Sequence, residues 1–477
     1  MNSGITVKLS LQSLFTFCIF KPILNEPMRI HLIAIGGAVM HNLAMALHNK
    51  GIRISGSDDE IFEPSRSRLE SYGLLPEKYG WYPEKITPEL DGIILGMHAR
   101  PDNQELLRAQ ELGLKIWSFP EYIYEQSKEK KRVVIGGSHG KTTVTSMIMH
   151  VLWYNHMDFD YMVGSQLEGF ETMVRLTKDA PVVILEGDEY LSSPIDPRPK
   201  FHLYKPDIAV LTGIEWDHMN VFPAFENYLE QFSIFARSIP AEGKLYWYKG
   251  DQFLEKIASG ITCEAESYDA HPYLTRNEKS VLLDGKKEMP VPVFGNHNMQ
   301  NISAAHFVCR DLGISDEQFY EAMSSFRGAA KRQQLLAESD TRKVYLDFAH
   351  APSKVRATLK SFRETFPDKK IFALLELHTF SSLNKDFIPF YRNTMDQSDD
   401  AAVFYNPEVV LHKKLPPLDP AFVSTCFERK DLKILDSGEK LTDYFHSLGE
   451  DGIYLFMSSG NFSGSDIKAI ANSICKK

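Results

Sequence analysis

The chain has 477 residues, 43% hydrophobic and 24% charged, and its 53 Lys and Arg against 63 Asp and Glu give a formal charge of −10. That length suffices for several domains with apolar cores, while the negative balance argues against a broad cationic face for nucleic acid. Five scattered cysteines (Cys18, Cys263, Cys309, Cys426, Cys475), with no CxxC pair, argue against a disulfide scaffold or zinc module and fit a reducing cytoplasm; no apolar run is long enough to span a membrane.

Residues 11 to 20 (LQSLFTFCIF) are apolar and follow Lys8, as in a short secretory segment. No small-residue cleavage pattern follows, so residues 1–27 are expected to be a dispensable extension and not an export signal. Met28 then opens a strand-like run to Ile35, followed by Gly36-Gly37 and helical spacing at Met40, Leu43, Ala44 and Leu47. A second strand, Ile52 to Ser55, leads to Gly56-Ser57-Asp58. Asp58 lies 22 residues after Gly36, near where a dinucleotide-type fold places a ribose-binding acid. The loop reads GGAVMH, an incomplete glycine signature, which leaves a plain αβ unit and a nucleotide site both open.

The chain restarts with a β-branched run at Arg132 and again at Lys343. Between these lie two buried-type strands, 181 to 186 (PVVILE) and 207 to 212 (DIAVLT), each ending in a polar cluster. Strands alternating with helices predict an α/β protein with parallel sheets, whose ligands gather at strand carboxyl ends. Boundaries are expected near 130 and 330, giving segments 28–130, 131–330 and 331–477. The stretch from 240 to 293, with Pro290 and Pro292, yields no topology.

Residues 136 to 143 read Gly-Gly-Ser-His-Gly-Lys-Thr-Thr, between a strand and a helix-compatible run, Val144 to Trp153. Glycines let backbone N–H groups turn around phosphate oxygens, and a helix N-terminus favours negative charge. Gly137, Ser138, His139, Gly140 and Thr143 would form this cradle. Lys141 would reach the outer phosphates of ATP, and Thr142 would hold Mg²⁺. The loop is shorter than GxxxxGK[ST], for position 135 is Ile.

The central strands end in hard-cation chemistry. Glu186, Asp188 and Glu189 follow the first; Glu215, Asp217 and His218 follow the second. Oxygen ligands plus one imidazole suit Mg²⁺ or Mn²⁺. Glu186 and His218 are the preferred ligands, together with Thr142.

Five ordered blocks resemble the Mur ligase family of ATP-dependent amino-acid and peptide ligases: GSHGKTT (137–143), EGDEY (186–190), IEWDH (214–218), GNHNMQNISAA (295–305) and LDFAHAP (346–352). The resemblance covers about 28 to 470. It implies three domains: a Rossmann-like UDP-sugar binder, a central P-loop ATPase, and a Rossmann-like C-terminal domain that brings the acceptor. On that resemblance Gly36, Gly37 and Asp58 would serve the sugar nucleotide, while Asn298, Asn301 and Asp347 would contact ATP. Arg332 would reach the γ-phosphate, Lys141, Glu186, His218 and Arg332 would be catalytic, and His350 matches the same motif as Asp347.

Several branches of the family carry a modified lysine about 15 residues after the metal histidine; Met219 to Ala236 contains none, and position 233 is Ser. That departure points to the branch that activates UDP-N-acetylmuramate. Tyr190, the stretch 56–70 (GSDDEIFEPSRSRLE) and MSSGNFSG (457–464) resemble the members whose acceptor is L-Ala-γ-D-Glu-meso-diaminopimelate. The stretch LELHTFSSLN (375–384) lacks the arginine that both the tripeptide-using and the alanine-using members tend to carry there and does not choose between them, and L-alanine stays open as the acceptor. The implied chemistry runs through an acyl phosphate, with no nucleic-acid or membrane partner.

Overall fold

The computed structural model describes residues 27–216, 221–329 and 331–476. The N-terminal extension therefore lies outside the described residues almost entirely, and Asp217 and His218 lie outside them as well.

Three parallel or largely parallel sheets follow one another along the chain. The first has four strands in the order Arg53–Ser57, Arg29–Ile33, Gly92–Leu95, Ile116–Ser118, all parallel. The opening strand is shorter than the run from Met28 to Ile35. Ala34 adopts φ 66°, and the amides of Ala34 and Ile35 both turn to Ser57 O, so the chain leaves the ladder there.

The second sheet has seven strands. Lys131–Gly136 sits inside it, between Ile208–Leu211 and Val182–Glu186. Beyond Ile208–Leu211 lie Lys244–Tyr248 and Glu264–Tyr268; beyond Val182–Glu186 lie Asp160–Met162 and the antiparallel Val174–Arg175. The runs Val133-Val134-Ile135, Val183-Ile184-Leu185 and Ala209-Val210-Leu211 are fully buried. Burial on both faces is what continuous β-branched and leucine runs require in a parallel sheet. The helix Lys141–Tyr154 packs against Asn296–Asp311 through one apolar cluster that includes Met147, Ile148, Val151, Met299, Ile302 and Ala305.

The third sheet has six strands in the order Gln334–Glu338, Arg342–Asp347, Gly452–Met457, Ile371–Glu376, Asp400–Phe404, Lys433–Leu435. Its first pair is antiparallel and the rest are parallel. The stretch that has no topology in sequence holds the strands Lys244–Tyr248 and Glu264–Tyr268, then a three-stranded antiparallel meander, Tyr273–Arg276, Lys279–Asp284 and Lys287–Val291. Its first turn, Asn277-Glu278, has φ 52° and 59°, the double positive that matches strand twist in a two-residue hairpin. Pro290 lies on an edge strand, where its missing N–H costs no ladder bond.

A single apolar cluster joins the first two sheets, from Ile30, Leu43 and Phe119 to Val134, Phe201 and Tyr204. Polar links reinforce it. Asn42 Oδ1 accepts the Met173 amide at 2.9 Å, and the Arg68 guanidinium donates to Gln166 Oε1 at 2.9 Å. We propose domain limits near 130 and 330, in the connections between the three sheets.

Candidate active site

The strand Lys131–Gly136 delivers the chain into the turn Gly137 to Gly140, and the helix begins at Lys141. Two glycines are sterically required here. Gly137 has φ 127° and a Cβ would meet Thr212 Oγ1 at 2.1 Å; Gly140 has φ 73° and a Cβ would meet Asn301 Oδ1 at 2.4 Å. The loop thus closes against both the next strand end and the Asn296–Asp311 helix. Thr212 Oγ1 donates to His139 O, and Ser138 Oγ accepts the Glu215 amide at 2.9 Å.

Lys141 Nζ donates to Gly137 O and to Glu189 Oε2, both at 2.7 Å. Burial opposes its charge, but Glu189, Asp188 and Glu186 outweigh that and hold the ammonium above the ordinary lysine value. Glu189 is fully buried and also accepts from Tyr228 Oη at 3.0 Å. Thr142 Oγ1 donates to Glu186 Oε1 at 2.8 Å, and the Gly164 amide donates to Glu186 Oε2 at 2.8 Å. Asp188 instead pairs with Lys200 at 2.6 Å.

The C-terminal segment faces this loop. Ser353 Oγ and His139 Nε2 are 2.9 Å apart. Asn298 Nδ2 donates to Gln333 Oε1 at 2.8 Å and to Phe294 O at 2.9 Å, while Asn301 Nδ2 donates to Asn298 Oδ1 at 3.3 Å. Asp347 accepts the amides of Gln333 and Ala349, each at 2.8 Å. The Arg332 guanidinium lies 4.1 Å from the centre of the Phe348 ring. Burial depresses that guanidinium's pKa, offset in part by Asp347 and Glu186.

A cavity of about 710 Å³ connects these groups. Ser138, His139, Gly140, Lys141, Thr142, Thr143, Glu186, Asn298, Asn301, Arg332, Asp347 and His350 all line it, and Gly137 joins through its bond to Lys141. Tyr248, Asp251, Phe253 and Lys354 line it too, and no sequence motif marks them. Lys385, which directly follows the 375–384 stretch, is exposed and away from the lining.

A second cavity, of about 360 Å³, lies between the first and second sheets. Gly37, Ala38 and His98 form one wall; Gly164, Asp188, Lys200 and Glu186 form the other. Glu186 therefore belongs to both cavities. Gly36 and Asp58 are not in the lining. Asp58 Oδ2 instead accepts the Gly36 amide at 2.7 Å, which fixes the glycine turn. Burial pushes the Asp58 carboxyl up to about 6, with neighbouring Asp59 adding to the rise.

The Thr142 hydroxyl and Glu186 carboxylate are adjacent hard oxygen donors at the rim of the phosphate loop, which fits Mg²⁺. Among the described residues no group of three or more His, Cys, Asp or Glu converges as a metal site, here or elsewhere. His218, the third preferred ligand, lies outside the described residues.

Residues 135–309 match the Mur ligase middle domain, and residues 29–131 match the Mur ligase family catalytic domain. A UDP-N-acetylmuramate–L-alanine ligase of Clostridium kluyveri is 30% identical over 382 residues, 76% of this chain and 81% of that protein. A UDP-N-acetylmuramate–L-alanyl-γ-D-glutamyl-meso-2,6-diaminoheptandioate ligase of Escherichia coli is 29% identical over 361 residues, 73% of this chain and 79% of that one. The crystal structure of a murein peptide ligase from Psychrobacter arcticus superposes with a TM-score of 0.66 at 21% identity, covering 94% of this chain and 98% of that one, a similarity of fold.

Proposed function

The chain belongs to the Mur ligase family, and from that premise we propose that it joins UDP-N-acetylmuramate to L-Ala-γ-D-Glu-meso-diaminopimelate at the expense of ATP. Members of the family are ATP-dependent ligases that form carbon–nitrogen bonds in peptidoglycan synthesis, and this chain is an enzyme of that kind. The reading of where nucleotide and donor meet rests on one observation: Glu186 is a wall of both the phosphate-loop cavity and the cavity between the first two sheets. A phosphoryl group delivered from one side and a carboxylate from the other would meet at that residue.

A carboxylate is a poor electrophile. Transfer of the γ-phosphoryl group to it gives an acyl phosphate and ADP, and a neutral acceptor amine then displaces phosphate to leave the amide. The protein's part is positioning and charge neutralisation. The loop amides and Lys141 would cradle the outer phosphates, with Arg332 approaching from the C-terminal side. Asn298, Asn301 and Asp347 would hold the nucleotide between segments. Thr142 and Glu186, with His218, would hold Mg²⁺, which supplies Lewis-acid neutralisation of phosphate charge when bound. Water must be excluded, since it would hydrolyse the acyl phosphate. The contact between His139 and Ser353 already brings the C-terminal segment over the loop.

The resemblance of three stretches to tripeptide-using members supports the tripeptide as acceptor, and the structure holds each stretch in place. Tyr190 closes the acidic cluster, its ring 5.8 Å from Lys200 Nζ. The stretch 56–70 carries Arg68 to its contacts with Asn42 and Gln166. In the 457–464 loop, buried Glu376 anchors Ser458 and accepts the Phe462 amide at 3.0 Å, while Ser459 faces the large cavity. A second reading, ligation of free L-alanine, is favoured by the 30% identical Clostridium kluyveri relative. Among the described residues no helix is long and apolar enough to cross a membrane, and we place the reaction in the cytoplasm, where ATP is supplied.

The test is direct. The protein is incubated with ATP, Mg²⁺ and UDP-N-acetylmuramate, with tripeptide or L-alanine offered in parallel, and the products are weighed by mass spectrometry. Tripeptide adduct with little alanine adduct is expected. Alanine adduct alone installs the second reading, and no adduct with either rejects the donor.

A further inference from the structure

The cavity between the first two sheets has an unusual wall. Tyr204, which ends the short helix Lys200–Leu203, is fully buried with its ring in the apolar cluster common to both sheets. Its hydroxyl has no hydrogen-bond partner among the described residues. A buried hydroxyl without a partner costs folding free energy that a phenylalanine of nearly equal volume would not. Packing therefore accounts for the ring and leaves the oxygen unexplained.

The surroundings indicate what the oxygen is for. Tyr204 lines the cavity together with Glu186, Asp188 and Lys200. The two carboxylates are engaged elsewhere, Glu186 with Thr142 and Gly164, Asp188 with Lys200. Burial, then the charges of Asp188 and Glu186, push the phenol well above its ordinary value. The group thus keeps its proton and acts as a neutral donor.

We propose that Tyr204 is a substrate-binding residue whose hydroxyl donates a hydrogen bond to an anionic oxygen of the sugar nucleotide's carboxyl group, where that group lies beside Glu186. The proposal rests on the reading of this cavity as the donor site. A neutral O–H suits the position, because it binds an anion in a carboxylate-bearing wall without introducing another charge, and hydrogen bonds to charged acceptors are the strong ones.

The experiment compares full-length wild type with Tyr204→Phe by thermal melting and by steady-state kinetics. UDP-N-acetylmuramate and ATP are varied in turn, with the acceptor that wild type uses held saturating. Removal of one hydrogen bond to a charged group should lower kcat/KM for UDP-N-acetylmuramate about ten- to hundred-fold. The KM for ATP should stay unchanged, and the Tm without ligands should equal or exceed that of wild type. Unchanged kcat/KM for the sugar nucleotide overturns the proposal. So does a lowered Tm with all kinetic constants falling together, which would make the hydroxyl a structural group. Wild type that turns over UDP-N-acetylmuramate while the variant matches it removes only the Tyr204 assignment; wild type that cannot use this donor removes the donor reading and the proposal with it.

Discussion

Substitution of Glu189 by glutamine isolates the group that holds the phosphate-loop lysine. The pair is buried, with side chains 14% and 1% exposed and an Nζ–Oε2 distance of 2.7 Å. Removing one partner of such a pair typically costs about 3–5 kcal/mol, because the remaining charge loses its counterion. Two features place this case at the lower end. Lys141 keeps its bond to Gly137 O, and Asp188 and Glu186 still stabilise its charge. Glutamine also retains an oxygen that can accept from Tyr228 and Lys141. A loss of about 3 kcal/mol, in a cooperative unit of roughly 200 residues, lowers Tm by about 6–12 °C. Calorimetry without nucleotide measures that fall. Repeating the scan with Mg²⁺ and a non-hydrolysable ATP analogue should narrow the gap, since phosphate then serves as the counterion. Equal melting temperatures without nucleotide would refute the reasoning, and so would a gap that nucleotide leaves unaltered.

Lys141→Ala should lower ligation on the order of 10²–10³-fold, the usual worth of a group that neutralises developing charge, while UDP-sugar binding measured by calorimetric titration persists. Glu186→Ala and His218→Ala should each raise the Mg²⁺ concentration needed for half-maximal rate; if neither does, the metal is held by other groups. Asp58→Asn tests the glycine-turn carboxyl. Its folded pKa, about 6, lies above the ordinary 3.8, so the folded state binds its proton more tightly and loses stability as pH rises through that window. Asparagine still accepts the Gly36 amide and does not titrate. Its stability relative to wild type should therefore increase between about pH 4 and pH 6 and then level off, as read by denaturant melts at fixed pH. A pH-independent difference would contradict the raised carboxyl.

The phosphate loop is legible in sequence because its chemistry is contiguous: glycines, lysine and threonine follow one another between a buried β-branched run and a helix. The parallel sheets are legible for a similar reason, since Val133 to Ile135 and Val183 to Leu185 carry no polar face. The acidic cluster is only half legible. Spacing identifies Glu186, Asp188 and Glu189 together, but the bend after the strand decides that they turn to Thr142, Lys200 and Lys141 respectively. Tyr248, Asp251 and Phe253 reach the cavity from one strand end and the start of the helix after it, and Lys354 from a distant helix; no motif in the sequence marks either arrival. Residues 273–291 alternate weakly, and their polar content hides a small sheet. The Asp284-Gly285 pair, with Gly285 at φ 58°, is the turn signal in that stretch.

The position of Glu186 in the wall of two cavities carries a thermodynamic obligation. A ligand that shifts this carboxylate in one cavity changes the surface offered to the ligand in the other, and such coupling has no direction of its own. If bound nucleotide tightens the sugar nucleotide by some factor, bound sugar nucleotide must tighten the nucleotide by that same factor. Two titrations, run in opposite orders of addition, must close the same cycle. Any preferred order of binding in turnover is then a matter of rates, and removing the Glu186 carboxylate should diminish the coupling seen from either side equally.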